Sequence, residues 1–338
     1  MLLRPLKYTL ALALLAVSAS SLAATITAQD YQRVVKEAYA KFKDVREGAN
    51  ADYIPILATV PSEMFGVAII TRDGEVYSAG ELDYEFSIQS VSKPFTASLI
   101  MQQQGPKTLR EKIGVEPTGL PFNSKIALEI YEERSVNPLV NAGAIAAVSL
   151  VEADSEKARW QQVLGNIEAY AGRDLEVLEE VYDSEYETAW GNRAIANLLF
   201  NYGRLYSEPE QALRVYTRQC SIGINTLDLA MMGATLANEG VNPKTGKRVL
   251  DKAHVPELLA IMATAGFYDE SGEWMYRAGL PAKTGVGGGI VAVVPGKFAI
   301  ATFSPPLNPA GNSVRGLKAI SYIAAELGVG LYGPNAGE

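Results

Sequence analysis

Strand-like apolar runs occur near both ends of this chain, and a long helix-rich stretch separates them. Phe65-Gly66-Val67-Ala68-Ile69-Ile70-Thr71 is the first, Asp73-Gly74 after it is a hairpin signal, and 75–79 is the return strand. Near the C-terminus, 274–278 reads as a strand, Ala282-Lys283-Thr284-Gly285 leads into 289–294, Pro295-Gly296 turns, and 297–303 runs back. Between the two sets, helical periodicity marks 125–131, 142–151, 155–171, 175–203, 208–220, 226–238 and 255–265. Ser124, Thr226 with Asp228, and Glu257 after Pro256 read as capping signals. The N-terminal and C-terminal strand sets can form one antiparallel sheet. The layout predicts an α+β fold, with one antiparallel sheet flanked by helices and a helical region inserted into it. Segments 24–104 and 270–338 form the sheet-containing lobe and 105–269 the helical region. An amphipathic helix over 30–45, with Tyr31, Val34, Val35, Ala38, Tyr39 and Phe42 on one face, and a last helix over 313–327 supply cover for the sheet.

The chemistry concentrates where the first strand set gives way to a helix. Ser90-Val91-Ser92-Lys93 is an S-x-x-K pair, and residues three apart on a helix share a face. A lysine with a lowered pKa can take the proton of a serine hydroxyl, and a helix N-terminus favours an oxyanion. Pro94 fits the first turn, while Ser87 and Ser92 lack a lysine three residues on. Lys283-Thr284-Gly285 supplies a facing strand. An S-x-x-K helix followed by a K-T-G strand is the arrangement of the penicillin-recognising serine hydrolases. Gly285-Val286-Gly287-Gly288-Gly289 precedes a strand and is followed by no Lys-Ser or Lys-Thr, so it is no P-loop.

Composition removes other chemistries. The 338 residues carry a net charge of -8, which gives a nucleic-acid role no electrostatic support. With one cysteine, Cys220, and one histidine, His254, a zinc site and an intrachain disulfide are not expected, and His254 reads as structural at a helix entry. Residues 1–23 read as a secretory signal peptide. Arg4 and Lys7 precede a short apolar run over 8–17, and Ser21-Leu22-Ala23 suits cleavage. An exported, periplasmic protein without stable membrane insertion is expected.

Six stretches then resemble one family. They are Asn50-Ala51-Asp52-Tyr53-Ile54-Pro55, Gln89-Ser90-Val91-Ser92-Lys93, Pro117-Thr118-Gly119-Leu120-Pro121-Phe122-Asn123-Ser124, Val140-Asn141-Ala142-Gly143-Ala144-Ile145, Tyr216-Thr217-Arg218-Gln219-Cys220-Ser221, and Lys283 through Ile290. In this order they resemble the serine-dependent glutaminases, which share the β-lactamase-like fold. The resemblance implies hydrolysis of L-glutamine to L-glutamate and ammonia, with no metal or organic cofactor and a homotetrameric assembly. It implies Ser90 as nucleophile, Lys93 as its activator and Tyr53 as an active-site tyrosine. Asn141, Glu185, Asn192, Tyr216, Tyr268 and Val286 match positions that hold glutamine. Glu185 suits the α-ammonium, and Asn141 and Asn192 suit the α-carboxylate. Seven residues apart, Glu185 and Asn192 are expected on one helix face. The N–H groups of Ser90 and Val286 are expected to form the oxyanion hole, Lys283 to supply a second cation, and Tyr216 or Tyr268 to relay protons. The competing readings are a penicillin-binding or β-lactamase-type hydrolase and a non-catalytic glutamine sensor.

Overall fold

The computed structural model describes residues 26–130 and 135–333; the leader expected over 1–23 lies outside them, as does Tyr131. The sheet has five strands in the order β2-β1-β7-β6-β5, with every neighbour antiparallel. They are β1 (Gly66–Thr71), β2 (Val76–Gly80), β5 (Ala282–Thr284), β6 (Gly289–Val294) and β7 (Phe298–Phe303). A two-stranded ribbon of β3 (Phe86–Ser87) and β4 (Gly223–Ile224) stands apart. The two strand sets do meet: β1 pairs with β7 in the register Ala68↔Ala301 and Ile69↔Ile300.

Alternation along these strands sorts the core into two layers. Ala68, Ile70, Val291, Val293, Ala299, Ala301 and Phe303 face the helical stretch. Val67, Ile69, Ile290, Ala292, Val294, Phe298 and Ile300 face the opposite way. There they meet Val34, Val35 and Ala38 of the Ala28–Phe42 helix and Ala319, Ile320 and Ile323 of the Val314–Glu326 helix. Each such Val, Ile or Phe contributes ~1.5–3 kcal/mol when fully buried. A one-residue slip would exchange the two sets, so burial fixes the register. On the helical side, the Thr226–Ala237 helix lies directly on the sheet. A Cβ on its Gly233 would stand 2.6 Å from both Ala299 Cβ and Val291 Cγ2.

Three local expectations need correction. Residues 274–278 are not a strand. Ser271–Arg277 is a helix whose Ser271 and Trp274 turn inward three residues apart, and Trp274 stacks on Phe267 at 4.2 Å and donates to the Leu280 carbonyl at 2.7 Å. The helix expected over 175–203 is two, Glu179–Thr188 and Trp190–Asn201, broken at Ala189, where ψ is 26°. Asn225, not Thr226, caps the Thr226–Ala237 helix, in a capping box with Asp228. His254 stands at the N-terminus of the Val255–Ala265 helix, 3.8 Å from Glu257.

Candidate active site

Ser90 sits in a single 3-10 turn, Gln89–Ser92, between β3 and the Lys93–Gln104 helix. The turn is held from both sides. Ile88 N–H donates to the Ile222 carbonyl at 2.9 Å, and Pro94 occupies the first turn of the helix. Gln89 has φ +48°, a left-handed conformation that costs a non-glycine residue ~1–3 kcal/mol and that recurs at functional sites. Tyr268 has φ +57°.

The S-x-x-K lysine is enclosed. Lys93 is 1% exposed, donates to Asn141 Oδ1 at 2.6 Å and lies 5.8 Å from the Tyr216 ring centre. Burial lowers its pKa to about 8, against the pull of the Glu185 carboxylate. Asn141 opens the buried Asn141–Leu150 helix and acts as a hub. Its Oδ1 also accepts from the Tyr216 hydroxyl at 3.2 Å, and its Nδ2 donates to Asn192 Oδ1 at 2.9 Å. The acceptor side of Asn141 is therefore committed, and one N–H remains. Glu185, also buried, accepts from Gln89 Nε2 at 3.0 Å. Burial pushes its pKa up to about 7, opposed by that hydrogen bond and by Lys93. Glu185 and Asn192 do not share a helix face. They enter from the two helices on either side of the break at Ala189.

β5 brings the second lysine. Lys283 is fully buried and donates to the carbonyls of Thr284 at 2.8 Å and Gly266 at 3.1 Å. Its ammonium lies 4.3 Å from the Tyr268 ring centre, and burial, with the charge of Lys93, holds its pKa well below the ordinary lysine value. The end of β5 abuts the Ser90 turn. A Cβ on Gly285 would stand 3.0 Å from Val91 Cγ2, 3.1 Å from the Ile88 carbonyl and 3.2 Å from Ser90 N. The N–H groups of Ser90 and Val286 have no hydrogen-bond acceptor among the described residues. Two backbone donors without an acceptor, where the end of β5 meets the Ser90 turn, are free to receive a substrate oxygen.

The tyrosines differ in placement. The Tyr268 hydroxyl is within hydrogen-bonding reach of Ser90 and donates to the Thr284 carbonyl at 3.3 Å; burial pushes its pKa up. Tyr216 is buried against Asn141, and burial raises its pKa as well. Tyr53 is 51% exposed, so solvent tempers the upward push that its depth in the molecule gives its phenol. Phe122 links it to Tyr268, with ring centres 6.5 Å and 4.8 Å away. Cys220 is buried beside Tyr216 and Ser92, and burial pushes its thiol pKa far up, so it stays neutral. A cavity of about 470 Å³ lined by Ile56, Phe86, Leu178 and Gly287 lies nearby, but none of these site side chains lines it.

Two participants were not expected from the sequence as site residues, Gln89 and Phe122. Both lie inside motifs already singled out, but only their three-dimensional contacts, to Glu185 and to the two tyrosines, reveal what they do.

A buried serine-lysine pair on a helical turn, faced by a lysine-bearing edge strand of an antiparallel sheet, defines a serine hydrolase of the β-lactamase-like fold. The Glutaminase family profile matches residues 48–332. A glutaminase of Colwellia psychrerythraea is 52% identical over 301 residues, covering 89% of this chain and 97% of its own. One from Brucella canis is 54% identical over 285 residues, covering 84% and 90%. Among solved structures, the probable glutaminase YbaS superposes with a TM-score of 0.89 at 51% identity, covering 90% of this chain and 99% of its own. A probable glutaminase from Bacillus subtilis, complexed with 6-diazo-5-oxo-L-norleucine, gives 0.80 at 29% identity, covering 90% and 96%. The chain belongs to the glutaminase family.

Proposed function

We propose that the protein hydrolyses L-glutamine to L-glutamate and ammonia through an acyl-enzyme on Ser90. The observation that carries this reading is the Ser90–Lys93 pair, with its ammonium buried enough to release a proton near neutral pH. Glutamine binds with its α-ammonium on Glu185 and its α-carboxylate on the free N–H groups of Asn141 and Asn192. The γ-carbonyl oxygen enters between the N–H groups of Ser90 and Val286. Lys93 as free amine takes the Ser90 proton, Oγ bonds to Cδ, and negative charge builds on the carbonyl oxygen. The Cδ–N bond then breaks, and Tyr268, within reach of Ser90, delivers the proton that lets ammonia leave. Water attacks the glutamyl ester by the reverse route, releasing glutamate and free Ser90. Lys283 holds the end of β5 and adds positive potential. Tyr53 covers the leaving amide, and Tyr216 supports Asn141. Ammonia release from glutamine, with asparagine and Ser90→Ala as controls, tests the reading. Release by the wild type and none by Ser90→Ala is expected; equal release by both would sink it.

We further propose that the mature protein is exported without residues 1–23 and works as a homotetramer. The leader-like sequence supports the first and the family resemblance the second. Fractionation with N-terminal sequencing, and light scattering on the purified protein, test them. An intact Met1 in the cytoplasm or a monomeric mass contradicts them.

A further inference from the structure

Ser92 is the one hydroxyl in the nucleophile's turn with no task in the reaction above, yet it is fully buried and fully engaged. Its Oγ donates to the Gln89 carbonyl at 2.6 Å. It accepts from Gln219 Nε2 at 2.9 Å, and Gln219 Oε1 in turn accepts from the Thr96 hydroxyl at 2.6 Å. Gln219 and Thr96 are 0% and 2% exposed, so no water competes for these bonds. The three side chains form a directional relay whose last acceptor is one backbone carbonyl.

That carbonyl belongs to the same peptide unit as the Ser90 N–H. A trans peptide is rigid, and its C=O and N–H point in opposite directions. Fixing the Gln89 oxygen on one side therefore fixes where the Ser90 N–H points on the other. The peptide follows Gln89, whose φ of +48° is a sparsely populated conformation that the surrounding structure has to hold. A turn of the 89–90 peptide about its flanking bonds, ψ of Gln89 and φ of Ser90, would carry the donor away from the substrate, and the bond to the Gln89 oxygen opposes it.

We propose that Ser92, Gln219 and Thr96 are positioning residues for the oxyanion site, locking the 89–90 peptide plane so that the Ser90 N–H meets the developing charge. A serine three residues on often bonds back to a helical carbonyl. What distinguishes this one is the buried buttress behind it and the left-handed residue before it. The inference rests on the acyl-enzyme reading of Ser90. A perfectly aimed oxyanion donor is worth 10²–10³ in kcat, and loosening its aim forfeits part of that, roughly tenfold.

The test is steady-state kinetics with glutamine on Ser92→Ala, Gln219→Leu, the double variant and Ser92→Thr, with Ser90→Ala alongside and thermal melts on all. The relay predicts that Ser92→Ala loses roughly tenfold in kcat with KM within about twofold, because the lost interaction exists only in the transition state. Gln219→Leu loses somewhat less, the double variant no more than Ser92→Ala alone, and Ser92→Thr recovers most of the rate. If Ser92→Ala does not fold, Gln219→Leu carries the same reading. A folded Ser92→Ala with wild-type kcat, or a loss confined to KM or equal in Ser92→Thr, overturns the proposal while an inactive Ser90→Ala leaves the acyl-enzyme reading standing. An active Ser90→Ala removes both.

Discussion

At the scale of single residues, the site spends stability on chemistry. Glu185 has a pKa of about 7 in the folded chain against 4.5 when free. The folded state therefore binds its proton more tightly, and stability falls as pH rises from 4.5 to 7. Above that window the carboxylate costs about 3 kcal/mol, and below 4.5 it costs nothing. Glu185→Gln keeps an acceptor for Gln89 and removes the charge. It should raise Tm by several degrees at pH 8 and leave it unchanged at pH 4, while kcat/KM for glutamine falls at least 100-fold. A pH series of melts with initial rates checks both halves. The pH–rate profile follows from the same groups. Lys93 must be the free amine and Glu185 the carboxylate, so kcat/KM should rise with pH through about 7 and again through about 8. A flat profile from pH 6 to 9 would remove Lys93 as the base. The residue types were legible in the sequence, because S-x-x-K and K-T-G name their chemistry. The hub at Asn141 and the strain at Gln89 were not, since both depend on contacts between distant segments.

At the scale of elements, β5 and the Ser90 turn touch with no room to spare. Gly285→Ala would press a methyl group against Val91, the Ile88 carbonyl and Ser90 N, all within 3.2 Å. The end of β5 must then retreat by a few tenths of an ångström, taking the Val286 donor with it. Activity should fall at least tenfold while stability drops by only about 1 kcal/mol, because displacement matters more to a pre-aimed donor than to packing. Parallel rate and denaturation measurements check it; wild-type rates would show that the β5 contact does not set the donor. The strands were readable because central strands buried on both faces leave continuous apolar runs. The break at Ala189 was not, because Thr188-Ala189-Trp190 contains no Gly or Pro and the helical pattern runs through it. The 274–278 misreading has a similar cause. Trp274 and Tyr276 suggest a strand by propensity, but tertiary packing against Phe267 selects a helix.

At the scale of the molecule, the fold depends on joining segments far apart in sequence. The β1–β7 pairing is one joint and Arg315 is another. That side chain is 1% exposed and stands 5.5 Å from the Phe65 ring centre. It donates to the carbonyls of Ser62, Glu63 and Met64 and to Ser304 Oγ. It therefore clamps the C-terminal helix onto the loop before β1. Arg315→Ala leaves several buried carbonyls unsatisfied and should cost about 3–5 kcal/mol, read by urea denaturation. A loss under 1 kcal/mol would mean that water replaces the clamp. The two-ended sheet was legible from the placement of the apolar runs. The clamp was not, since one arginine in a helical pattern looks like any solvated one.

The claim on which the rest depends is a covalent glutamyl group on Ser90. Acid-quenching the enzyme during turnover of glutamine, followed by peptide mass spectrometry, tests it directly. The Ser90–Lys93 mechanism predicts that the peptide containing Ser90 gains the mass of one glutamyl group, and that Ser90→Ala gains none. An unmodified Ser90 peptide from an enzyme trapped while rapidly releasing ammonia, or the same mass gain on another residue, would contradict it.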